Sequence, residues 1–212
     1  FDNKLNPFQI LDKLKHCFNT LPELNTTFSK VNVIHENELS SIVPKSLFNE
    51  DTLADYLKFN SKILRTDFIT FDDINLIDAV NVYVPYVNIN NFIYDTFGAF
   101  EYNHFSTILL NTILKLNKNT IETEMYVHVS DVHFEIIVAK NGKLELYNSF
   151  EYTTKEDFIY YILFTAEQLN LNPEEFKLYL CGNIQKENDL YKIVYTYVRH
   201  IEIIDSQLQP SI

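Results

Sequence analysis

The chain has 212 residues, 46% of them hydrophobic and 15% aromatic, with 17 basic and 29 acidic side chains. Such a composition buries a core, excludes general disorder and, at roughly 150 residues per domain, allows one large domain or two small ones. The net charge of −12 is shared evenly, −6 on residues 1–106 and −6 on 107–212, so neither half is a basic module, and neither nucleic acid nor an anionic membrane is an expected partner.

The N-terminal half is irregular. Ile10, Leu11, Leu14 and Phe18 predict a helix that Leu21-Pro22 ends. Val31, Val33 and Ile34 predict a strand, and Ser40 to Val43 another. Asn49 is placed to cap a helix carrying Leu53, Tyr56, Leu57 and Asn60. Asp72-Asp73 reads as a turn. Val80, Val82 and Val84 form a strand ended by Pro85, Asn90 to Phe97 a short helix, and Phe105, Ile108, Leu109, Thr112, Ile113 and Leu116 a longer one.

The C-terminal half is clearer. Met125, Val127 and Val129 alternate with Tyr126 and His128, a strand turned at Ser130-Asp131. Val132, Phe134, Ile136 and Val138 alternate with His133 and Glu135, a second strand. Asn141-Gly142 is a hairpin signal, because both residues tolerate positive φ, and Leu144 and Leu146 continue as a third strand. Thr153 and Glu156 have capping-box spacing. Phe158, Tyr161, Ile162, Thr165 and Leu169 follow at helical period, with Ile159 and Leu163 widening the stripe, until Asn172-Pro173 stops the helix. Phe176, Leu178 and Leu180 form a fourth strand ending at Cys181-Gly182. Asn188 caps a helix with Leu190, Ile193, Val194 and Tyr197, and His200 to Ile204 is a last strand. Three strands, then helix-strand-helix-strand, describe a meander followed by two crossovers onto one mixed sheet. That is the order of the ribonuclease H-like fold, the half-unit of the actin-like ATPase architecture.

Other features narrow the function. The longest apolar run, Phe158 to Phe164, is far short of the ~20 residues that span a bilayer. No basic-then-apolar signal segment opens the sequence, although it starts at Phe1 instead of Met, which leaves room for an earlier segment. Cys17 and Cys181 have no metal-type spacing and fit a reducing, cytoplasmic compartment. With only Gly98, Gly142 and Gly182, neither GxGxxG nor GxxxxGK[ST] is present.

The stretches Asn81-Val-Tyr-Val-Pro-Tyr-Val-Asn-Ile-Asn-Asn, Val127-His-Val, Phe134-Glu-Ile-Ile-Val, Gly142-Lys-Leu-Glu-Leu-Tyr-Asn-Ser-Phe, Phe158-Ile-Tyr-Tyr-Ile-Leu-Phe and Arg199-His200 carry a resemblance. They resemble an uncharacterised Bacteroidetes family, domain of unknown function 3822. The resemblance brings no known activity. It implies an α/β, actin-like ATPase fold of two ribonuclease H-like subdomains, here 1–104 and 105–212, with the opening strands of the first lying before Phe1. In nucleotide-binding members of the actin-like superfamily, an Asp followed by glycines holds Mg²⁺ and phosphate. Here the equivalent hairpin reads Val129-Ser-Asp-Val-His-Phe, with Asp131 and no glycine after it, which impairs close approach to a phosphate. The adenosine turn falls at Cys181-Gly182-Asn183, with one glycine where two are usual.

Three further constellations have chemical content. Asp131, His133 and Glu135 form a candidate acid-base or metal cluster; a solvated strand face is the expected reading, and no metal is expected. Glu122, Glu124 and Asp131 are the carboxylates a two-metal nuclease would need. Cys181 is a candidate nucleophile with His128 or His200, against its reading as a small core residue. His104 and His128 are expected to be hydrogen-bonded structural histidines, and Tyr83-Val-Pro-Tyr86 and Phe158 to Phe164 to be core. The leading expectation is a degenerate actin-like module binding a protein or small molecule without catalysis and without a cofactor. The alternative is an ATP-dependent phosphotransferase or ATPase with Mg²⁺ at Asp131 and nucleotide at Gly182 and Asn183.

Overall fold

The computed structural model describes residues 5–59 and 61–204. They fall into two compact units, Phe1–Asp73 with Ala79–Thr107, and Ile74–Asp78 with Ile108–Ile212.

The first unit opens with helix α1 (Pro7–Thr20). Asn6 Oδ1 accepts from the Phe8 and Gln9 amides while Gln9 Oε1 accepts from the Asn6 amide, a capping box with proline at the first helical position. Strands β1 (Asn32–His35) and β2 (Ser40–Pro44) follow. Asn49 caps a 3-10 turn, Glu50–Thr52, which leads into the short helix α2 (Leu53–Leu57); Asn60, expected to extend α2, lies outside the described residues. Strands β3 (Thr70–Ile74) and β4 (Ala79–Tyr83), helix α3 (Val87–Phe97) and strand β5 (Glu101–His104) complete the unit, and helix α4 (Phe105–Asn117) belongs to the second unit from Ile108 on. β1 pairs in parallel with β5, and β2-β4-β3 is a separate three-stranded sheet. Its core joins Val43, Val80, Val82 and Val84 to Leu57 of α2.

Asp72-Asp73 is not a turn. Both residues lie inside β3, where Asp72 shares the inward-facing parity and is buried while Asp73 is exposed. Two adjacent acids look like solvent-facing punctuation because the groups that satisfy the buried one lie elsewhere in the chain. Asp72 accepts from the Tyr83 hydroxyl at 3.1 Å, the Thr107 hydroxyl at 2.9 Å and the His104 amide at 2.8 Å. Strand β5 likewise had no sequence signal, being four polar or aromatic residues.

The second unit contains β6 (Thr123–Val129), β7 (His133–Lys140), β8 (Lys143–Glu151), α5 (Lys155–Gln168), β9 (Lys177–Gly182), α6 (Asp189–Tyr197) and β10 (His200–Ile203). The sheet order is β10-β9-β6-β7-β8. β6, β7 and β8 are mutually antiparallel, β9 runs parallel to β6, and β10 parallel to β9. This is the meander-plus-crossovers order the alternation predicts. Asn141 and Gly142 take positive φ, 53° and 71°, in the β7–β8 hairpin.

Alternate residues of three strands build one apolar face. Met125, Val127, Val129, Phe134, Ile136, Val138, Leu178 and Leu180 pack against Phe158, Ile159, Ile162 and Ala166 of α5 and Val194 of α6. The α5 cap is shifted by one residue from its expected place. Thr154, not Thr153, accepts from the Asp157 amide, and the Asp157 carboxylate takes the Thr153 and Thr154 amides and the Thr153 hydroxyl. α5 ends before Asn172-Pro173, with Asn170 at φ 54°. Asn188 sits at the start of α6 but makes no side-chain capping bond. Tyr83, Phe158 and Ile162 are core as expected, whereas Tyr160 and Phe164 stack on each other on the exposed side of α5. No helix among the described residues is long and apolar enough to cross a membrane.

Candidate functional site

The second unit concentrates polar chemistry where β6 and β9 end. Register places Val129 beside Gly182. Gly182 has φ +85°, and a Cβ there would stand 2.4 Å from the Val129 carbonyl oxygen and 3.0 Å from His128 Nε2. Only glycine fits that close approach. The chain then turns so that the Asn183 amide donates to Val129 O at 2.7 Å and Asn183 Nδ2 donates to Asp131 Oδ1 at 2.6 Å. Asp131, Gly182 and Asn183 therefore do come together, across 52 residues of sequence. The turn itself is closed by the Ser130 amide donating to His133 O, and it is held by the Tyr152 hydroxyl donating to Ser130 O at 2.9 Å.

Beside this turn lies a cluster the sequence described only in part. His128 on β6 is in register with Glu135 on β7, and His133 stands two residues before Glu135, so all three share one face. His128 Nδ1 donates to Glu135 Oε2 at 3.0 Å and His133 Nε2 donates to Glu135 Oε1 at 3.1 Å. A carboxylate only accepts, so these contacts assign a proton to each facing nitrogen. Burial pushes the Glu135 carboxyl up, but hydrogen bonds and charge from His128 and His133 together outweigh it and hold the group below its ordinary value. Glu135 is 3% exposed, so this is no solvated strand face. Asp131, grouped with the cluster by sequence, bonds to Asn183; His128 takes its place.

Cys181 lies opposite His128 in the β6–β9 register. The thiol is buried and donates to Val127 O at 3.7 Å; burial, then the Glu135 charge, pushes its pKa up to about 12. A nucleophilic thiol needs the opposite environment. His200 pairs with Lys177, four residues before Cys181 on β9, which is about 13 Å along a strand. These facts overturn the acyl-transfer reading of Cys181.

The nuclease constellation is also overturned. The buried Glu124 carboxylate accepts from the Tyr126 hydroxyl at 2.5 Å, Asn117 Nδ2 at 2.9 Å and the Tyr179 hydroxyl at 3.3 Å. Asp131 lies beyond the opposite end of β6, roughly 20 Å away by strand rise. The carboxylates do not converge on a common ion. Glu124 instead ties the end of α4 to the sheet, and Asn117 Oδ1 also accepts from the Gly142 amide of the β7–β8 hairpin.

His104, in the first unit, is hydrogen-bonded as expected: its Nδ1 accepts from the Ser106 amide and its Nε2 donates to Asn37 O.

The sequence profile of a family described as "Protein of unknown function (DUF3822)" matches residues 1–201. The chain belongs to that family. Among solved structures, this DUF3822 chain is similar to a Bacteroides thetaiotaomicron protein described as having an actin-like ATPase fold and unknown function. The TM-score is 0.81 at 22% identity, over 90% of this chain and 74% of that one. It is also similar to a chain of the PilM-PilN type IV pilus biogenesis complex, with a TM-score of 0.52 at 12% identity over 84% and 70% of the two chains. No curated protein matches it. The fold is thus α/β and of the actin-like ATPase kind.

Sequence reasoning missed Asp72 and the pairing of His128 with Glu135. The alternation alone could not have found the second: a turn centred on Ser130-Asp131 pairs His128 with His133, whereas the observed register is centred on Asp131-Val132 and pairs His128 with Glu135.

Proposed function

We propose that this DUF3822 protein is a degenerate actin-like module that binds a protein or small-molecule partner without catalysis. One observation carries the reading: the side chains in the place of a phosphate cradle bond to each other. Asp131 is engaged by Asn183 at 2.6 Å. No glycine follows Asp131 to bare the backbone amides of its turn, and Gly182 serves close packing against Val129. A phosphate site needs converging amides that are bare on their outer side, and these residues do not fit one. The PilM-PilN complex, whose chain has a similar fold, supports a protein as partner.

The ATP-dependent alternative is favoured by one fact, the meeting of Asp131, Gly182 and Asn183 at the same sheet end. Thermal unfolding of the full-length protein with millimolar ATP and Mg²⁺ separates the two. Nucleotide at about one hundred times its dissociation constant would stabilise the folded state by about 2.7 kcal/mol, a shift of several degrees. The binding-module reading expects no shift. A reproducible shift that Asp131→Ala abolishes would replace it with the ATPase reading.

A further inference from the structure

We propose that the outward face of α5 is a docking surface for an amphipathic helix of a partner protein, one that carries arginine or lysine at both ends of its apolar stripe. The inference rests on the partner-binding reading and adds to it the surface and the partner's chemistry. Glu156, Tyr160, Phe164 and Glu167 are exposed along α5. Counted from Glu156 they lie four, eight and eleven positions on, which at about 100° per residue confines them to less than a quarter turn of the helix. Phe158, Ile162 and Ala166 take the opposite side into the core. Tyr160 is 58% and Phe164 43% exposed, large for two rings in the middle of a helix.

The rings are held in place before a partner arrives. Phe164 stacks on Tyr160 with centroids 5.9 Å apart, Tyr160 meets Tyr161 edge-on at 5.3 Å, and Tyr161 stacks on Phe150 of β8 at 4.5 Å. Phe150 in turn lies against the buried Phe134, so the row is anchored in the core. Rings fixed in this way lose little conformational entropy on binding.

Charge decides what covers them. The stripe reads carboxylate, ring, ring, carboxylate, with the two carboxylates about 16 Å apart along the axis. Lys155, the one cation of α5, precedes Phe164 by nine positions and so lies half a turn away. A second copy of this face would set Glu156 and Glu167 against like charges, and an anionic membrane would be repelled. A cation at each end of an apolar stripe instead gains charge-assisted hydrogen bonds to the carboxylates and cation–π contact with Tyr160. A helix matches the spacing, because cations eleven positions apart bracket the apolar residues that meet Tyr160 and Phe164.

The probe is a labelled synthetic helix of about sixteen residues, with two arginines eleven positions apart and leucines between them, titrated into the full-length protein by fluorescence anisotropy. The expected result is saturable binding that weakens as salt rises. Phe164→Ser weakens it at least tenfold. The double variant Glu156→Lys, Glu167→Lys loses the arginine peptide and gains a counterpart with glutamate in place of both arginines. All three positions are exposed, and unchanged thermal unfolding checks that the variants fold. Equal binding of the two peptides, binding indifferent to Phe164→Ser, or self-association that Tyr160→Ser abolishes would overturn the surface. The ATP titration run beside it keeps the two failures apart. No peptide binding with no ATP-dependent shift overturns this surface alone, whereas an ATP-dependent shift that Asp131→Ala abolishes overturns the reading beneath it.

Discussion

The sheet of the second unit has two faces made by the same strands, and they obey different physics. On the face toward α5 and α6, Val127, Val129, Phe134, Ile136 and Val138 belong to one buried apolar cluster. On the other face, the neighbouring residues Glu124, Tyr126, His128, Glu135 and Tyr179 form hydrogen-bonded clusters around two buried carboxylates. Hydrocarbon burial is non-directional and scales with area, so the first face tolerates many sequences. A buried carboxylate demands donors at about 3 Å, so the second face is specified atom by atom. Stability is concentrated on one side of a single layer and chemistry on the other.

Four substitutions or conditions sharpen that contrast, taken from the largest expected effect. Phe134→Ala removes a side chain that contacts Phe150, Tyr152, Phe158 and Tyr161. It should cost about 3–5 kcal/mol in urea denaturation. Gly182→Ala forces a Cβ to within 2.4 Å of Val129 O at φ +85°. It should cost roughly 3 kcal/mol through strain and displaced backbone, and a loss under 1 kcal/mol would show that the β6–β9 ends relax freely. Glu124→Ala, on the polar face, strands the Asn117 amide and two tyrosine hydroxyls, for about 2 kcal/mol. Glu124→Leu should recover part of that loss if the penalty is unsatisfied polar groups and not lost volume.

The fourth is a pH profile. The Glu135 carboxyl titrates below its ordinary value of 4.5 in the folded chain. The folded state then binds fewer protons than the unfolded state, so this contribution is complete above about pH 5 and is lost as pH falls through the lowered folded value. Glu135→Gln should flatten that acid limb. His35 in the first unit acts through neutrality: burial lowers its pKa from 6.5, against the raising effects of the Asn90 hydrogen bond and the Asp72 charge. Its contribution is complete above pH 6.5 and declines below it. His35→Gln should therefore remove a pH dependence lying above the range in which Glu135 acts, and stability curves for the two variants measured between pH 3 and 8 separate them.

The apolar face was legible in advance because alternation is a local property: Met125, Val127 and Val129 declare their common side whatever surrounds them. The polar face was legible only in part. His133 and Glu135 were recognisable as sharing a face, but burial of Glu135 depends on the strands and helices around it. Asp72 was misplaced in a turn for the same reason, since its donors Tyr83, His104 and Thr107 lie 11, 32 and 35 residues away. Caps were located to within a residue, because Thr153 and Thr154 offer equivalent hydroxyls and only the geometry of the turn decides which one accepts from Asp157.

By itself, the sequence determined the strand and helix order of the C-terminal half, its turn at Asn141-Gly142 and the absence of a glycine-rich phosphate loop, because period, turn chemistry and composition act over a few residues. The tertiary structure decided the rest. It decided which carboxylates are buried, that Asn183 and not a glycine amide meets Asp131, that His128 rather than Asp131 joins His133 at Glu135, and that Cys181 keeps its proton. Those outcomes depend on strand register and on the dielectric around each group, and both exist only once distant segments are packed together.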